Sequence, residues 1–155
     1  MVEMNSQPHL PSGWNTSRIP DQYAKRYLVT GGSSGLGLET AKALVAKGAH
    51  VTITARSEVK GAAAMSSTGA QGFIVMDLAD LASVRAAADS ITQPYDVVFL
   101  HAGIMAVPFA KTVDGFESQL GTNFLGHFAF AGLIEKFVSD RWVVTNFSIN
   151  PAKAK

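Results

Sequence analysis

The 155-residue sequence contains no cysteine, which excludes a disulfide framework and a thiolate metal site. Its net charge is only +1 and it has no block of like charges, so nothing in the charge pattern favours nucleic-acid binding. The four histidines are scattered, and none forms a pair at metal-ligand spacing. The longest apolar stretch, around residues 128–134, is too short to cross a bilayer, and the N-terminus lacks the pattern of a signal peptide. We therefore expect a soluble, cytoplasmic protein with no metal, no nucleic-acid partner and no membrane span.

The composition is that of one folded domain. Apolar residues make up 47% of the chain and charged residues 16%, and this length is sufficient for a hydrophobic core. Residues 1–23 are polar and contain three prolines, which predicts a loose N-terminal arm. Trp14 and Ile19 are candidates to pin that arm to the domain formed by residues 24–155.

A glycine-rich stretch, YLVTGGSSGLG at residues 27–37, carries the strongest local signal. An apolar run ends in Thr30, glycines follow at Gly31, Gly35 and Gly37, and a helical pattern begins at once. Glycine enters positive φ without steric cost and lets an anion approach the backbone, while the helix N-terminus offers free N–H groups. The pattern predicts a phosphate-binding turn; a plain strand-to-helix turn without a ligand is the alternative.

The segment TGGSSGLG resembles the TGxxxGxG cofactor motif of the short-chain dehydrogenase/reductase family. The resemblance extends from about Trp14 to about Ser148, and the lead-in GWNTSRIPDQ resembles the retinol-dehydrogenase-like and WW-domain-oxidoreductase-like branch. It implies a nicotinamide cofactor at the turn. The turn residues assigned to that cofactor are Gly31, Ser33, Ser34, Gly35, Leu36 and Gly37.

Helical and strand patterns alternate along the rest of the chain. Predicted helices cover residues 36–47, 58–65, 80–91 and 115–138, and predicted strands after the first cover 50–55, 73–76, 96–100 and 142–148. Such alternation predicts an α/β fold with a parallel sheet covered on both faces. We expect a Rossmann-type, doubly wound sheet in the order 3-2-1-4-5, with the ligand at the switch between strands one and four. Family members add two further strands, so the sheet is expected to be incomplete at its C-terminal side.

The end of the second strand indicates which cofactor binds. Ala55 and Arg56 stand where an NAD enzyme typically has a carboxylate for the ribose 2′-OH. A guanidinium suits a 2′-phosphate, and similar family members with arginine here prefer NADP, so NADP is favoured over NAD. After strand three, Asp77 and Leu78 match the family's adenine-binding pattern. A solvated arginine and a turn-forming aspartate are the alternatives.

Strand four ends in LHAG, where the family usually has NNAG. Ala102 and Gly103 match and are assigned to the cofactor, whereas His101 replaces an asparagine and is interpreted as a substitution rather than a base. The resemblance makes Asn123 and Ser148 candidate catalytic residues, for a proton relay and for polarising a carbonyl. A buried structural asparagine and an ordinary strand-end serine are the alternatives.

The family's proton donor, a tyrosine followed four positions later by a lysine, is absent. None of Tyr23, Tyr27 and Tyr95 has a lysine at that spacing. The sequence therefore resembles the cofactor half of an NADP(H)-dependent oxidoreductase that transfers hydride to or from a small carbonyl or alcohol, truncated before this pair. A non-catalytic nucleotide-binding module or regulatory subunit, and a fragment without function, are the alternatives. An exposed apolar helix and a bare fifth strand would then favour association with a second copy or with a homologue.

Overall fold

The computed structural model describes residues 12–144, which form one parallel sheet with helices on both faces. The strands are β1 (Arg26–Val29), β2 (His50–Ala55), β3 (Gly72–Val75), β4 (Tyr95–Leu100) and β5 (Val138–Val144). The helices are α1 (Gly35–Val45), α2 (Glu58–Thr68), α3 (Leu81–Asp89), α4 (Ser118–Leu120) and α5 (Gly126–Ile134). A π-helical turn (Gly121–Leu125) joins α4 to α5, and 3-10 turns cover Thr16–Arg18 and Glu135–Phe137.

The strands lie in the order β3-β2-β1-β4-β5, and all four pairings are parallel. This confirms the predicted Rossmann-type order. The order reverses between β1 and β4, which places a crevice at the carboxyl ends of these two strands. No helix within residues 12–144 is long and apolar enough to cross a membrane.

Alternation along the strands supplies two hydrophobic cores, one on each face of the sheet. Leu28 of β1 and Val98 of β4 belong to the core under α3 and α5, which also contains Phe130. Val29 of β1 and Ile53 of β2 belong to the core under α1 and α2. Because neighbouring residues of β1 are buried on opposite sides, β1 contributes apolar side chains to both cores at once.

The long helix predicted for residues 115–138 is wrong at both ends. Gly115 has φ +87° and lies in a turn, and the helix begins at Ser118 after Glu117, whose carboxylate accepts the N–H groups of Gln119 and Leu120. At the other end, Val138 is already in β5 and pairs with Tyr95, so this strand starts four residues before the predicted Trp142. Pairing with β4 therefore outweighs the helical pattern of the apolar sequence.

The part of the predicted arm that the structure describes contacts the domain. The backbone N–H of Gln22 donates to the carbonyl of Lys47, and the Lys47 ammonium donates to the carbonyl of Ser17. Trp14 and Ile19 line a cavity of about 600 Å³ beside α1 and β5. The boundary of a loose arm at residue 23 stays a prediction.

Candidate functional site

A cavity of about 860 Å³ lies at the carboxyl edge of the sheet, at the switch between β1 and β4. Its walls come from the turn after β1 and from the ends of β2, β3 and β4. All the residues predicted to contact the cofactor line it: Gly31, Ser33, Ser34, Gly35, Leu36, Gly37, Arg56, Asp77, Leu78, Ala102 and Gly103. Residues as far apart in sequence as Gly31 and Gly103 thus share one concave surface.

The three glycines of the turn serve different purposes. Gly31 has φ +68°, and a Cβ there would lie 2.8 Å from Cα of Ala102, so it permits close contact with the end of β4. Gly37 is helical, and a Cβ there would lie 2.5 Å from the carbonyl oxygen of Gly31, so it lets α1 close on the turn. Gly35 has φ +55°, and a Cβ there would meet no atom within 4 Å. Its open side faces the cavity that a ligand would enter.

Helix α1 directs its N-terminus into this cavity. Its N-cap residue, Ser34, makes no side-chain capping bond, and its first turn has no acidic residue. The first N–H groups of α1 are therefore not capped by a side chain, and the helix dipole adds partial positive charge. An uncapped N-terminus beside the Gly35 opening fits a pyrophosphate.

The cavity wall carries more positive than negative charge. Arg56, Lys60 and Lys111 line it, whereas Asp77 is its one carboxylate among residues 12–144. Arg56 is exposed directly after β2, and neither it nor Lys60 forms an ion pair with any described residue. Such a wall can accept a ligand with several phosphates.

Asp77 takes part in a turn without using its whole carboxylate. Its Oδ1 accepts the Ala79 N–H at 2.9 Å, and its backbone N–H donates to Ser83 Oγ at 3.0 Å. The alternative that Asp77 only forms a turn therefore accounts for one carboxylate oxygen, Oδ1. Oδ2 makes no hydrogen bond to residues 12–144, which leaves it open to an amino group in the cavity.

Thr30, to which no role was assigned from the sequence, organises the end of β4. Its Oγ1 accepts the backbone N–H groups of His101 at 3.0 Å and Ala102 at 3.1 Å. The side chain of His101 stacks on Phe99, and its Nε2 lies 3.3 Å from Thr40 Oγ1. Burial lowers the pKa of His101, so it is neutral near pH 7.

Asn123 lies in the π-helical turn and does not line the cavity. Its Oδ1 accepts the Ile104 N–H at 2.8 Å, and its Nδ2 donates to the Ile104 carbonyl at 2.7 Å. The side-chain amide of Asn123, which is half-buried, thus fastens the loop after β4. A catalytic role of Asn123 stays a prediction. Ser148, the other catalytic candidate, lies outside the described residues.

Comparison with known proteins places this geometry in a family. The family model for short chain dehydrogenase matches residues 25–141. The chain belongs to the short-chain dehydrogenase family. A short-chain dehydrogenase/reductase of Armillaria gallica is 43% identical over 130 residues, which cover 78% of this chain and 42% of that protein. Polyprenol dehydrogenase of Danio rerio is 38% identical over 125 residues, covering 75% and 39%.

Two solved structures superpose on the fold. An uncharacterized protein from Mycobacterium paratuberculosis has a TM-score of 0.79 at 45% identity, covering 84% of this chain and 49% of that chain. A short chain dehydrogenase from Burkholderia cenocepacia, solved in complex with NADP, has a TM-score of 0.69 at 29% identity, covering 86% and 59%. The chain thus spans about two fifths of the length of the curated relatives described above.

Proposed function

We propose that this chain binds NADP(H) in the cavity at the β1–β4 switch, as the cofactor-binding part of a short-chain oxidoreductase. The observation that carries the proposal is the single cavity shared by the glycine turn, Arg56, Asp77 and the end of β4. The NADP complex of the Burkholderia cenocepacia relative supports the same ligand class. NADP(H), when bound, supplies or accepts a hydride in exchange with a small carbonyl or alcohol substrate.

The residues of the chain have distinct roles in this proposal. The turn and the N-terminus of α1 hold the pyrophosphate, and Gly35 leaves the space for it. Arg56, with Lys60 nearby on the wall, binds the 2′-phosphate. Asp77 Oδ2 accepts a hydrogen bond from the adenine amino group, and Ala102 and Gly103 border the ribose on the nicotinamide side.

Thermal unfolding with each cofactor tests this proposal. At equal concentration NADPH should raise Tm more than NADH, because a ligand at about 100 times its Kd adds about 2.7 kcal/mol to folded-state stability. Arg56→Ala should remove most of the difference, whereas Arg85→Ala, on α3 and outside the cavity lining, should leave it intact. Equal shifts, or a larger shift with NADH, would contradict the preference for NADP.

We further propose that this 155-residue chain on its own binds the cofactor without substantial turnover. It contains no tyrosine with a lysine four positions later, and general acid–base assistance is typically worth about 10²–10⁴-fold in rate. NADPH oxidation with aldehydes, ketones and quinones should stay at trace level. A turnover number near the usual value of about 10 s⁻¹ would contradict this and implicate another proton donor.

Association with a second copy or with a homologue is the third part of the proposal. Leu120, Phe124 and Phe128 follow at four-residue spacing on one side of the helix and are 51%, 60% and 72% exposed. The rings of Phe124 and Phe128 stack with centroids 6.2 Å apart. We call these three residues the outer face of α4–α5. Phe130 and Ile134 of α5, by contrast, are fully buried within the chain.

A further inference from the structure

His127 occupies a buried position that the proposed function has not used. It lies in the first turn of α5 with 7% of its surface exposed. Its Nε2 is 3.0 Å from Thr30 Oγ1, at the end of β1, and its Nδ1 is 3.1 Å from the carbonyl oxygen of Asn123, in the π-helical turn. The imidazole therefore bridges the strand that precedes the glycine turn and the helix that carries Asn123.

The hydrogen bonds of Thr30 determine the proton on Nε2. A hydroxyl has two acceptor sites and one donor, and both acceptor sites of Thr30 Oγ1 are taken by the N–H groups of His101 and Ala102. The hydroxyl hydrogen is what remains for His127. Thr30 therefore donates to Nε2, and Nε2 must be unprotonated.

The contact of the other ring nitrogen, Nδ1, places the hydrogen of the imidazole. A backbone carbonyl can only accept, so Nδ1 must carry the hydrogen that is donated to Asn123. The two contacts agree on a neutral imidazole with its hydrogen on Nδ1. An imidazolium would direct an N–H at a hydroxyl oxygen whose acceptor sites are already occupied.

We propose that His127 is a positioning residue for the cofactor, acting as a neutral Nδ1–H imidazole that holds Thr30 to the Asn123 carbonyl. Through Thr30, His127 fixes the backbone N–H groups of His101 and Ala102. These groups lie beside the part of the cavity wall that Ala102 and Gly103 form. Through the π-helical turn, His127 fixes Asn123, which fastens Ile104 just beyond. The inference rests on the proposed NADP(H) binding and adds a residue that does not itself line the cavity.

Nuclear magnetic resonance of the ¹⁵N-labelled wild-type chain tests the tautomer directly. Long-range ¹H–¹⁵N spectra of the imidazole rings near pH 7 should show His127 with its hydrogen on Nδ1. His50 is the internal reference, because its buried Nδ1 has no hydrogen-bond partner among the described residues. A protonated His127, a hydrogen on Nε2, or a mixture of tautomers would overturn the proposal.

Three variants then test the effect on the cofactor, with NADPH titration as the measurement. His127→Phe keeps the size of the side chain and removes both hydrogen bonds, and it should weaken NADPH binding about tenfold. His127→Gln keeps one donor and one acceptor and should recover most of that loss. His50→Gln, at the start of β2 and the opposite edge of the sheet, should bind like the wild type. Equal affinity of His127→Phe and wild type would overturn the proposal.

Two further measurements keep the test decisive. The amide protons of His101 and Ala102 should exchange faster in His127→Phe than in His50→Gln, and unchanged exchange would overturn the proposal whether or not NADPH binds. If His127→Phe does not fold, His127→Met, which likewise makes neither hydrogen bond, replaces it with the same expected results. Absence of NADPH binding by a folded wild-type chain would contradict the proposed function itself, which separates that failure from this one.

Discussion

Around the turn between β1 and α1, glycines pack against backbone atoms, whereas along the outer face of α4–α5 aromatic rings lie in solvent. A Cβ at Gly31 or Gly37 would come within 2.8 Å of its neighbours, and the hydroxyl of Thr30 has all its hydrogen-bonding capacity used. By contrast, Phe124 is 60% exposed and Phe128 is 72% exposed. The turn therefore finds its packing and hydrogen-bond partners within one chain, whereas the apolar side chains of the outer face remain in contact with solvent.

This difference separates two kinds of requirement. In the proposed function the turn region must hold its shape to receive a small anionic ligand. The residue types that it tolerates are therefore limited by contacts within the chain. The outer face gains from any contact that removes apolar surface from water, at about 25 cal/mol per Å². Substitutions at the turn should therefore alter cofactor binding, and substitutions on the outer face should alter association.

The largest expected effect comes from a branched side chain at Gly37. Gly37→Val places a Cβ 2.5 Å from the Gly31 carbonyl and should abolish the rise in Tm produced by NADPH. The matched control is Gly132→Val on α5, where a Cβ meets no atom within 4 Å. Circular dichroism must show that both variants are folded. A folded Gly37→Val protein that still responds to NADPH would mean that the phosphates bind elsewhere.

The second effect concerns the outer face alone. At micromolar concentration the chain should elute as an associated species in size-exclusion chromatography with light scattering, because exposed apolar patches of this kind mark interaction surfaces. Phe124→Gln combined with Phe128→Gln should shift it towards monomer without altering NADPH affinity. Phe109→Gln, in an exposed loop position, serves as the control. A monodisperse wild-type monomer that binds no hydrophobic dye would contradict the proposal that the outer face of α4–α5 mediates association.

A smaller effect distinguishes backbone strain from ligand space at the turn. Gly35 and Gly115 have φ +55° and +87°, and a Cβ at either meets no atom within 4 Å. Alanine at each should cost about 1–2 kcal/mol in unfolding free energy, because both would hold it in a left-handed conformation. NADPH affinity should fall in Gly35→Ala only. Equal affinities in the two variants would show that the space beside Gly35 is not used by the cofactor.

The smallest effect is a pH dependence of stability. Burial lowers the pKa of His127 most strongly, the nearby His101 lowers it further, and the hydrogen bond to the Asn123 carbonyl opposes both. The unfolded chain therefore takes up protons below about pH 6.5 before the folded chain does. Stability is fully present above that pH and declines as the pH falls towards the folded-state pKa.

Urea unfolding between pH 7.5 and 5.5 measures this decline. The Glu117 carboxylate stays ionised in this range, since the backbone N–H groups of Gln119 and Leu120 lower its pKa. His127→Gln should make the decline shallower, and His101, whose pKa burial also lowers, accounts for the part that remains. A flat wild-type profile would contradict a neutral, buried His127.

Local sequence was sufficient for the turn and for much of the sheet. The predicted second strand, residues 50–55, agrees with β2 at both ends, because a β-branched run there is bounded by Gly48 and Arg56. The glycine spacing likewise located the cavity wall. These features depend on steric rules that act within a few residues.

Features that depend on distant partners were not predictable in the same way. Val138 was predicted to end a helix and residues 139–141 were predicted in no element, but all four join β5, because β4 offers backbone hydrogen bonds there. The contact between Thr30 and His127 joins residues 97 positions apart. The residues next to each of them in the sequence do not predict that contact. The position of Thr30, directly before Gly31 and at the carboxyl end of β1 beside the cavity, was the one signal in the sequence that could have suggested a role for it.

The π-helical turn has a consequence for insertions and deletions in this chain. Such a turn corresponds to one extra residue within an α-helix, and each residue of a helix turns its successor by about 100°. After the turn, Gly126 lies against the Leu78 carbonyl, His127 reaches Thr30, and Phe130 enters the core. Loss of a single residue from Gly121–Leu125 would restore a regular α-turn and leave these three contacts in register, whereas loss of one residue within regular α5 would rotate the residues beyond it by about 100°. The π-helical turn can therefore change its length by one residue more readily than α5 can.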